Sequence, residues 1–526
     1  MISCQLPYES RRMPVFAENM VAASQPLAVQ AGLKMLQEGG NAVDAALASA
    51  IALTVVEPTS NGIGGDAFAL VWDGGRLHGI NGSGKSPAAW SPDYFSSFDS
   101  MPERGWDTVT VPGAVSTWAA LWERFGSLDF ERLFAPAIYY AENGYPVSPV
   151  IAERWRETGA ELKRFPGFRD CFMPGGEAPR CGEMFASLDM AQTLDTIRRS
   201  RGESFYRGEL AERIARCAVE QGGALTADDL ADHEPQWVEP LSIRYRGCDI
   251  HQIPPNGQGL AVLQGLGMLA QFDVAALAVD SADSIHLQAE AMKLAYADIF
   301  AHLADPAAMR LDPRRLLDGD YLAERAKQID LDRAGSPVTG IAAEPGTVYL
   351  STADASGMMV SFIQSNYQGF GSGIVVPGTG ISLHNRGFGF TLEAGHPNQV
   401  GGGKRPFHTI IPGFVTRGDE PLLSFGVMGA HMQAQGQVQM VTRILDYRQN
   451  PQAASDAPRW HVAPGGELAL ESGIERQVMD RLAGRGHRLD TSAPPHLFGG
   501  AQLILKTAAG YAGGSDHRKD GMAAGF

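Results

Sequence analysis

The chain has 526 residues, 44% of them hydrophobic, and a formal charge of −16. Its length can bury a large core and by itself would allow three or four domains, while the acidic balance excludes a nucleic-acid or anionic-membrane partner. The opening Met1-Ile2-Ser3-Cys4-Gln5-Leu6-Pro7 lacks the charged and apolar regions of a secretory signal, and no apolar run reaches bilayer length, so a cytoplasmic location is expected.

Ser24 is placed to cap a helix through Leu27, Ala31, Leu33 and Leu36 that stops at Gly39-Gly40. Ala42 to Val56 is apolar on nearly every side, the mark of a buried core helix too short to cross a membrane. The loop Glu57 to Gly65 leads into a hairpin from Phe68 to Ile80 that turns at Asp73-Gly74-Gly75. From about 115 to 330 helical patterns dominate, among them Leu210 to Gln221 and Ser284 to Leu303. After Thr347 strands and glycine turns take over, the clearest helix being Met432 to Tyr447. The pattern predicts one α/β body whose early helices cover sheets completed by late strands. The five cysteines, Cys4, Cys171, Cys181, Cys217 and Cys248, form no C-x-x-C pair. Reduced thiols are expected, with neither a disulfide framework nor a zinc site.

Thr347-Val-Tyr-Leu-Ser-Thr-Ala353 and Met358 to Ser365 read as strands about the turn Asp354-Ala355-Ser356-Gly357. With Gly357 in the left-handed position of a three-residue loop, 354 faces 358, 351 faces 361 and Thr347 faces Ser365. A threonine that follows glycine at the start of a strand suggests a chain that cuts itself at Gly346-Thr347 and uses the new N-terminal residue as catalyst. A freed α-amine titrates at about 7.7 to 8.0, so it can take the proton of its own hydroxyl without a histidine. Ser365, on the same face, is placed to hydrogen-bond the nucleophile. The same residues also suit an ordinary buried strand.

Three other signals read as structural. Gly79-Ile-Asn-Gly-Ser-Gly-Lys-Ser86 matches the phosphate-loop pattern, but Pro87 and Pro92 oppose the helix such a loop needs. Gly369-Phe-Gly-Ser-Gly373 is followed by strand-like residues rather than a helix. His286 and Glu290, one helical turn apart, read as a surface pair rather than a metal site.

Asn19-Met-Val-Ala-Ala-Ser-Gln-Pro-Leu27, Glu38-Gly-Gly-Asn-Ala-Val-Asp-Ala-Ala46, Gly62-Ile-Gly-Gly65 and the Thr347 hairpin together resemble the γ-glutamyltransferase family. Val111-Pro-Gly113, Phe205-Tyr-Arg-Gly208, Tyr245-Arg-Gly247, Ala295-Tyr-Ala-Asp298 and Lys404-Arg-Pro406 extend the likeness in the family's order. The resemblance implies an N-terminal-nucleophile hydrolase: a four-layer αββα sandwich, made as a proenzyme and cut into a large subunit, 1–346, and a small one, 347–526. It leaves open whether the processed heterodimers pair further. It implies Thr347 as nucleophile, Ser365 as its supporting hydroxyl and Gly429-Ala430 as the oxyanion hole, with no cofactor and no metal.

The family's glutamyl-recognition set is missing. Its carboxylate-binding arginine aligns near Ser83, its ammonium-binding acids fall on Arg386 and Gly389, its asparagine on Tyr367 and its paired serines on His408-Thr409. An arginine in place of a carboxylate repels an ammonium and favours a substrate carboxylate. The likeness is to the cytoplasmic, glutathione-hydrolase-like branch, which includes the oxamate amidohydrolases of purine-nitrogen breakdown. The expected reaction is hydrolysis of a small carboxylate-bearing amide, best oxamate to oxalate and ammonia. Arg386 is the expected carboxylate ligand, or else half of a structural salt bridge, and Asn366, Tyr367, His408 and Thr409 are expected walls, with a core role for His408 as the alternative. A γ-glutamyl hydrolase or transferase, an acylase on larger amides, a non-catalytic scaffold and a nucleotide-binding protein are the other readings.

Overall fold

The strand-rich stretches predicted after Thr347 fill the middle of two seven-stranded antiparallel sheets in a computed structural model, which describes residues 12–335 and 346–526. The sheet that carries Thr347 runs Met522–Gly525, Met20–Ala23, Gly346–Ala353, Met359–Tyr367, Asp66–Trp72, Leu77–Asn81, Gln236–Val238. The other runs Val15–Ala17, Gly510–Ser515, Gly500–Thr507, Glu420–Met428, Gly413–Arg417, Cys248–Gln252, Leu241–Tyr245. Strands from before and after residue 346 interleave in both sheets, so neither stretch has a sheet of its own.

Three apolar clusters divide the molecule into layers. Phe68, Leu70, Tyr349 and Ile363 of the first sheet meet Phe414, Met428 and Ile504 of the second, which fills the space between them. Helices Pro26–Gln37 and Ala42–Val56 cover the outer face of the Thr347 sheet through Val348, Leu350, Val360 and Phe362. Helices Gly259–Leu269, Ala282–His302 and Met432–Leu445 cover the other sheet through Ile250, Val415, Phe425 and Leu503. This is the expected αββα sandwich.

Every residue of Ala42–Val56 is buried. Thr352 and Gln364 donate to its Ala42 and Ala50 carbonyls at 2.6 and 2.8 Å, which ties the helix to the Thr347 hairpin. Ser24 does not cap the preceding helix. The helix begins at Pro26, so Gln25 is the N-cap and accepts from the Leu27 and Ala28 amides, while the Ser24 hydroxyl donates to the buried Glu57 carboxylate. Cys171, Cys181, Cys217 and Cys248 are free thiols, and Cys4 lies outside the described residues. Among those residues no helix is long and apolar enough to cross a membrane.

Candidate active site

The hairpin has the expected register: Thr347 pairs with Ser365 and Ser351 with Ser361, and the Asp354 amide donates to the Met358 carbonyl across a turn in which Gly357 has φ +96°. At its open end Gly346 pairs with Tyr367, so Asn366 is one residue too many and the strand bulges. A bulge re-aims side chains, and Tyr367 takes φ +74°, a costly conformation for a residue with a Cβ. Ser365 thereby reaches three groups. Its Oγ lies 3.0 Å from Thr347 Oγ1, accepts from the Tyr367 amide at 2.7 Å and donates to the Gly346 carbonyl at 2.6 Å. Its one proton being spent on Gly346, the Thr347 hydroxyl is left to donate to Ser365.

Gly429 and Ala430 end the strand Glu420–Met428 and precede the helix Met432–Leu445, with φ of +121° and +51°. Ala430 is held in this left-handed conformation through its carbonyl, which accepts from Gln258 Nε2 at 2.9 Å and from the Gln433 amide at 3.2 Å. Gln258 Nε2 also donates to the Thr409 carbonyl at 2.7 Å, which locks the turn to the Thr409 segment. Gln433 is fully buried. Its Oε1 accepts from the Ile411 amide at 3.1 Å, so its Nε2 points toward Thr347 Oγ1, 3.5 Å away.

Arg386 is fully buried. Its guanidinium stacks 3.9 Å above the centre of the Tyr367 ring and donates to Thr409 Oγ1 at 3.0 Å and toward Ser365 Oγ at 3.5 Å. No carboxylate of the described residues lies within ion-pairing distance, so the salt bridge weighed as an alternative is not formed. Burial lowers its pKa to about 10. The nearest acid is Asp66, also fully buried and pushed up to about 7 by burial against the opposing pull of Arg386 and the Gly113 and Gly84 amides. Its Oδ2 lies 3.1 Å from His408 Nε2.

Two expected walls lie elsewhere. His408 accepts at Nδ1 from the Ile410 amide at 3.3 Å, which leaves Nε2 to donate to Asp66, and its ring packs 4.8 Å from Phe68. Burial and Arg386 hold its pKa well below the usual range, so it is a neutral, satisfied core histidine. Asn366 occupies the opposite strand face from Ser365 and turns its amide to Ser382 Oγ, 3.5 Å away, under the Gly62 loop, where a Cβ on Gly62 would stand 2.9 Å from Asn366 Nδ2. Sequence reasoning missed Asp66, Gln258 and Gln433. The signal for Asp66 was a lone acid heading a strand otherwise made of buried apolar residues. For Gln433 it was a run of glutamines on a helix that is buried nearly all round.

The two glycine-rich motifs are structural. No helix follows Gly79 to Ser86, and the Gly84 amide serves Asp66 rather than a phosphate. Phe370, in the Gly369 to Gly373 turn, packs on Trp155, Phe168 and Phe172. His286 and Glu290 are buried, not a surface pair. They meet His487, whose Nε2 lies 2.8 Å from His286 Nδ1, and Lys293 neutralises Glu290 at 2.7 Å.

The model of the gamma-glutamyltranspeptidase family matches residues 28–526. A glutathione hydrolase-like proenzyme of Bacillus subtilis is 36% identical over 522 residues, covering 97% of this chain and 98% of that protein. The oxamate amidohydrolase proenzyme of Klebsiella pneumoniae is 34% identical over 526 residues, covering 97% and 99%. The crystal structure of a cephalosporin acylase from Bacillus halodurans superposes with a TM-score of 0.96 at 47% identity, covering 100% of this chain and 99% of the other.

Proposed function

From the premise that the chain belongs to the gamma-glutamyltranspeptidase family and is a self-processing hydrolase of amide bonds, we propose that its substrates are amides whose acyl half carries a carboxylate, with oxamate the smallest. The observation that carries this reading is Arg386: a buried guanidinium beside the Thr347–Ser365 pair, bonded only to hydroxyls and stacked on a ring. A buried cation without a counter-ion is costly, and a bidentate carboxylate relieves that cost.

In the uncut chain, Ser365 polarises the Gly346 carbonyl while Thr347 Oγ1 attacks it; the Gly346–Thr347 C–N bond breaks as the Thr347 nitrogen takes the hydroxyl proton, and water then hydrolyses the resulting ester to the Gly346 carboxylate and the free Thr347 hydroxyl. In the processed enzyme the Thr347 α-amine takes the hydroxyl proton as Oγ1 attacks the substrate amide carbon. The oxyanion rests on the Gly429 and Ala430 amides, a contribution typically worth ~10²–10³ in rate per donor. The departing nitrogen receives the proton, and water releases the acyl group. A second reading, an acylase acting on larger amides, is favoured by a void of about 280 Å³ beside Tyr367 and His431.

The test is intact mass and ammonia release from oxamate, for wild type beside Thr347→Ala. Wild type is expected as two fragments that begin at Met1 and Thr347 and turn over oxamate, and Thr347→Ala as one inactive chain. Equal turnover of oxamate and acetamide would sink the carboxylate reading. Glutamate release from a γ-glutamyl anilide with no oxamate turnover would move the substrate to γ-glutamyl donors. An uncut wild type would support the scaffold.

A further inference from the structure

The helix Met432–Leu445 carries four buried glutamines, Gln433, Gln435, Gln437 and Gln439. The last three spend both ends of the amide on the fold. Gln435 accepts from the Val462 amide at 2.7 Å and donates to the Val462 carbonyl at 3.1 Å. Gln439 does the same with Trp460, at 3.4 and 3.0 Å. Gln437 accepts from Gln252 Nε2 at 2.6 Å and donates to the Ile411 carbonyl at 2.7 Å. Gln433 departs from this pattern: its Oε1 takes the Ile411 amide at 3.1 Å, while the acceptor its Nε2 finds among the described residues is Thr347 Oγ1, 3.5 Å away.

Gln433 and Gln437 hold Ile411 by its N–H and its C=O, so the Gln433 amide cannot turn over without setting its NH2 against the Ile411 N–H. Its donor end therefore stays on Thr347. In the uncut chain Thr347 gives its own proton to Ser365, whose proton is on the Gly346 carbonyl, so the lone pairs of Oγ1 are left to face Gln433. A contact of 3.5 Å is weak for a neutral hydroxyl, whereas N–H bonds to a charged oxygen close to about 2.7–2.9 Å. An interaction that strengthens as charge develops stabilises the transition state more than the resting hydroxyl.

We propose that Gln433 is a further catalytic group, whose amide stabilises the negative charge on Thr347 Oγ1 when that oxygen attacks and again when it departs. The role rests on Thr347 being the nucleophile. During acylation the Thr347 α-amine takes the hydroxyl proton, Oγ1 bonds the acyl carbon, and the C–N bond breaks as the proton passes to the departing nitrogen. Water then gives its proton to the α-amine and its hydroxyl to the acyl carbon. The C–Oγ1 bond breaks with its electron pair on Oγ1, which takes the proton back from the amine. The Gly429 and Ala430 amides are assigned to the carbonyl oxygen, so Oγ1 needs a donor of its own. The same charge develops on Oγ1 when it attacks Gly346 in the uncut chain.

Self-cleavage needs no added substrate, so the experiment follows the half-life of the uncut chain, made by cell-free translation, for wild type, Gln433→Glu, Gln433→Met and Gln439→Met. Gln433→Glu keeps the size of the side chain and an acceptor for the Ile411 amide but, ionised, has no proton to donate. Gln439→Met loses two backbone ties away from Thr347. Both Gln433 variants are expected to cut at least tenfold more slowly, and Gln439→Met as fast as wild type. Cleavage of Gln433→Glu at the wild-type rate, or equal slowing in Gln439→Met, would overturn the role. Once cut, Gln433→Glu should turn over oxamate with kcat at least tenfold lower and KM unchanged; a raised KM at unchanged kcat would overturn it too. Should Gln433→Met fail to accumulate, Gln433→Glu carries the same test. Cleavage of Thr347→Ala would remove the nucleophile itself, and with it the role of Gln433. A wild type that cuts itself but ignores oxamate would sink only the substrate reading, and the half-lives still decide on Gln433.

Discussion

Arg386 and Arg459 are both fully buried, and burial lowers both pKa values to about 10, yet their surroundings differ in kind. Arg459 is bound to the Asp516 carboxylate and donates to the Phe498 and Ser455 carbonyls at 2.7 and 3.0 Å. Asp516 also accepts from the Ala501 amide at 2.7 Å and from Arg518 at 3.1 Å. This cluster closes on itself and fastens the C-terminal segment to the sheet. Arg386 has two hydroxyls and a ring face instead. The acids record the same contrast: Asp516 is held far below the usual carboxylate range by Arg459 and Arg518 despite its burial, while Asp66, out of contact with Arg386, rises to about 7. A buried cation with its own carboxylate is satisfied within the fold; one without is, on the reading proposed above, open to the carboxylate of a substrate.

The largest effect expected is on Arg459. Arg459→Met breaks a buried ion pair and leaves Asp516 with Arg518 as its one remaining arginine, which should cost about 3–5 kcal/mol of stability, read as a lower midpoint in urea. A shift no larger than that of Arg386→Met would erase the distinction. Arg386→Met removes an unpaired buried charge, so the folded state should hold or gain stability while kcat/KM for oxamate falls by ~10²–10³, or about 3–4 kcal/mol. A large stability loss with little loss of activity would make Arg386 structural after all.

Per pH unit, the smallest effect is on the pH dependence of stability. The folded pKa of Asp66, about 7, lies above its ordinary 3.8, so between those values the native chain holds a proton that the unfolded chain has released. Stability therefore falls as pH rises from about 4 to 7, by up to about 1.4 kcal/mol per unit. Asp516 works in the opposite sense, adding stability above its ordinary 3.8 that is lost as pH falls. Asp66→Asn should flatten the limb between pH 4 and 7 and leave the acid limb intact; an unchanged slope in a melting series would refute the assignment.

The hairpin was legible because its register is a local matter: Gly357 closes the turn, and each pair back to Thr347 and Ser365 follows by counting. Strand alternation also placed Ser365 beside Thr347, and the same rule sends Asn366 to the opposite face. The burial of His286 and Glu290 was not legible, because a polar pair one turn apart looks the same on a surface helix as on one covered by His487, from a segment about two hundred residues further on. Nor was the service of Gly84 to Asp66, which joins a loop to a strand start some twenty residues before it.

The sequence by itself determined an α/β body and the pairing of Thr347 with Ser365, since periodicity, turn chemistry and strand pairing act over a few residues; the four layers were implied by the family resemblance. Only the tertiary structure decided what surrounds Arg386. Whether a buried cation meets a carboxylate, a hydroxyl or a ring depends on segments as far apart as Asp66, Tyr367 and Thr409, and their positions are set by the packing of two sheets and their helices rather than by any local pattern.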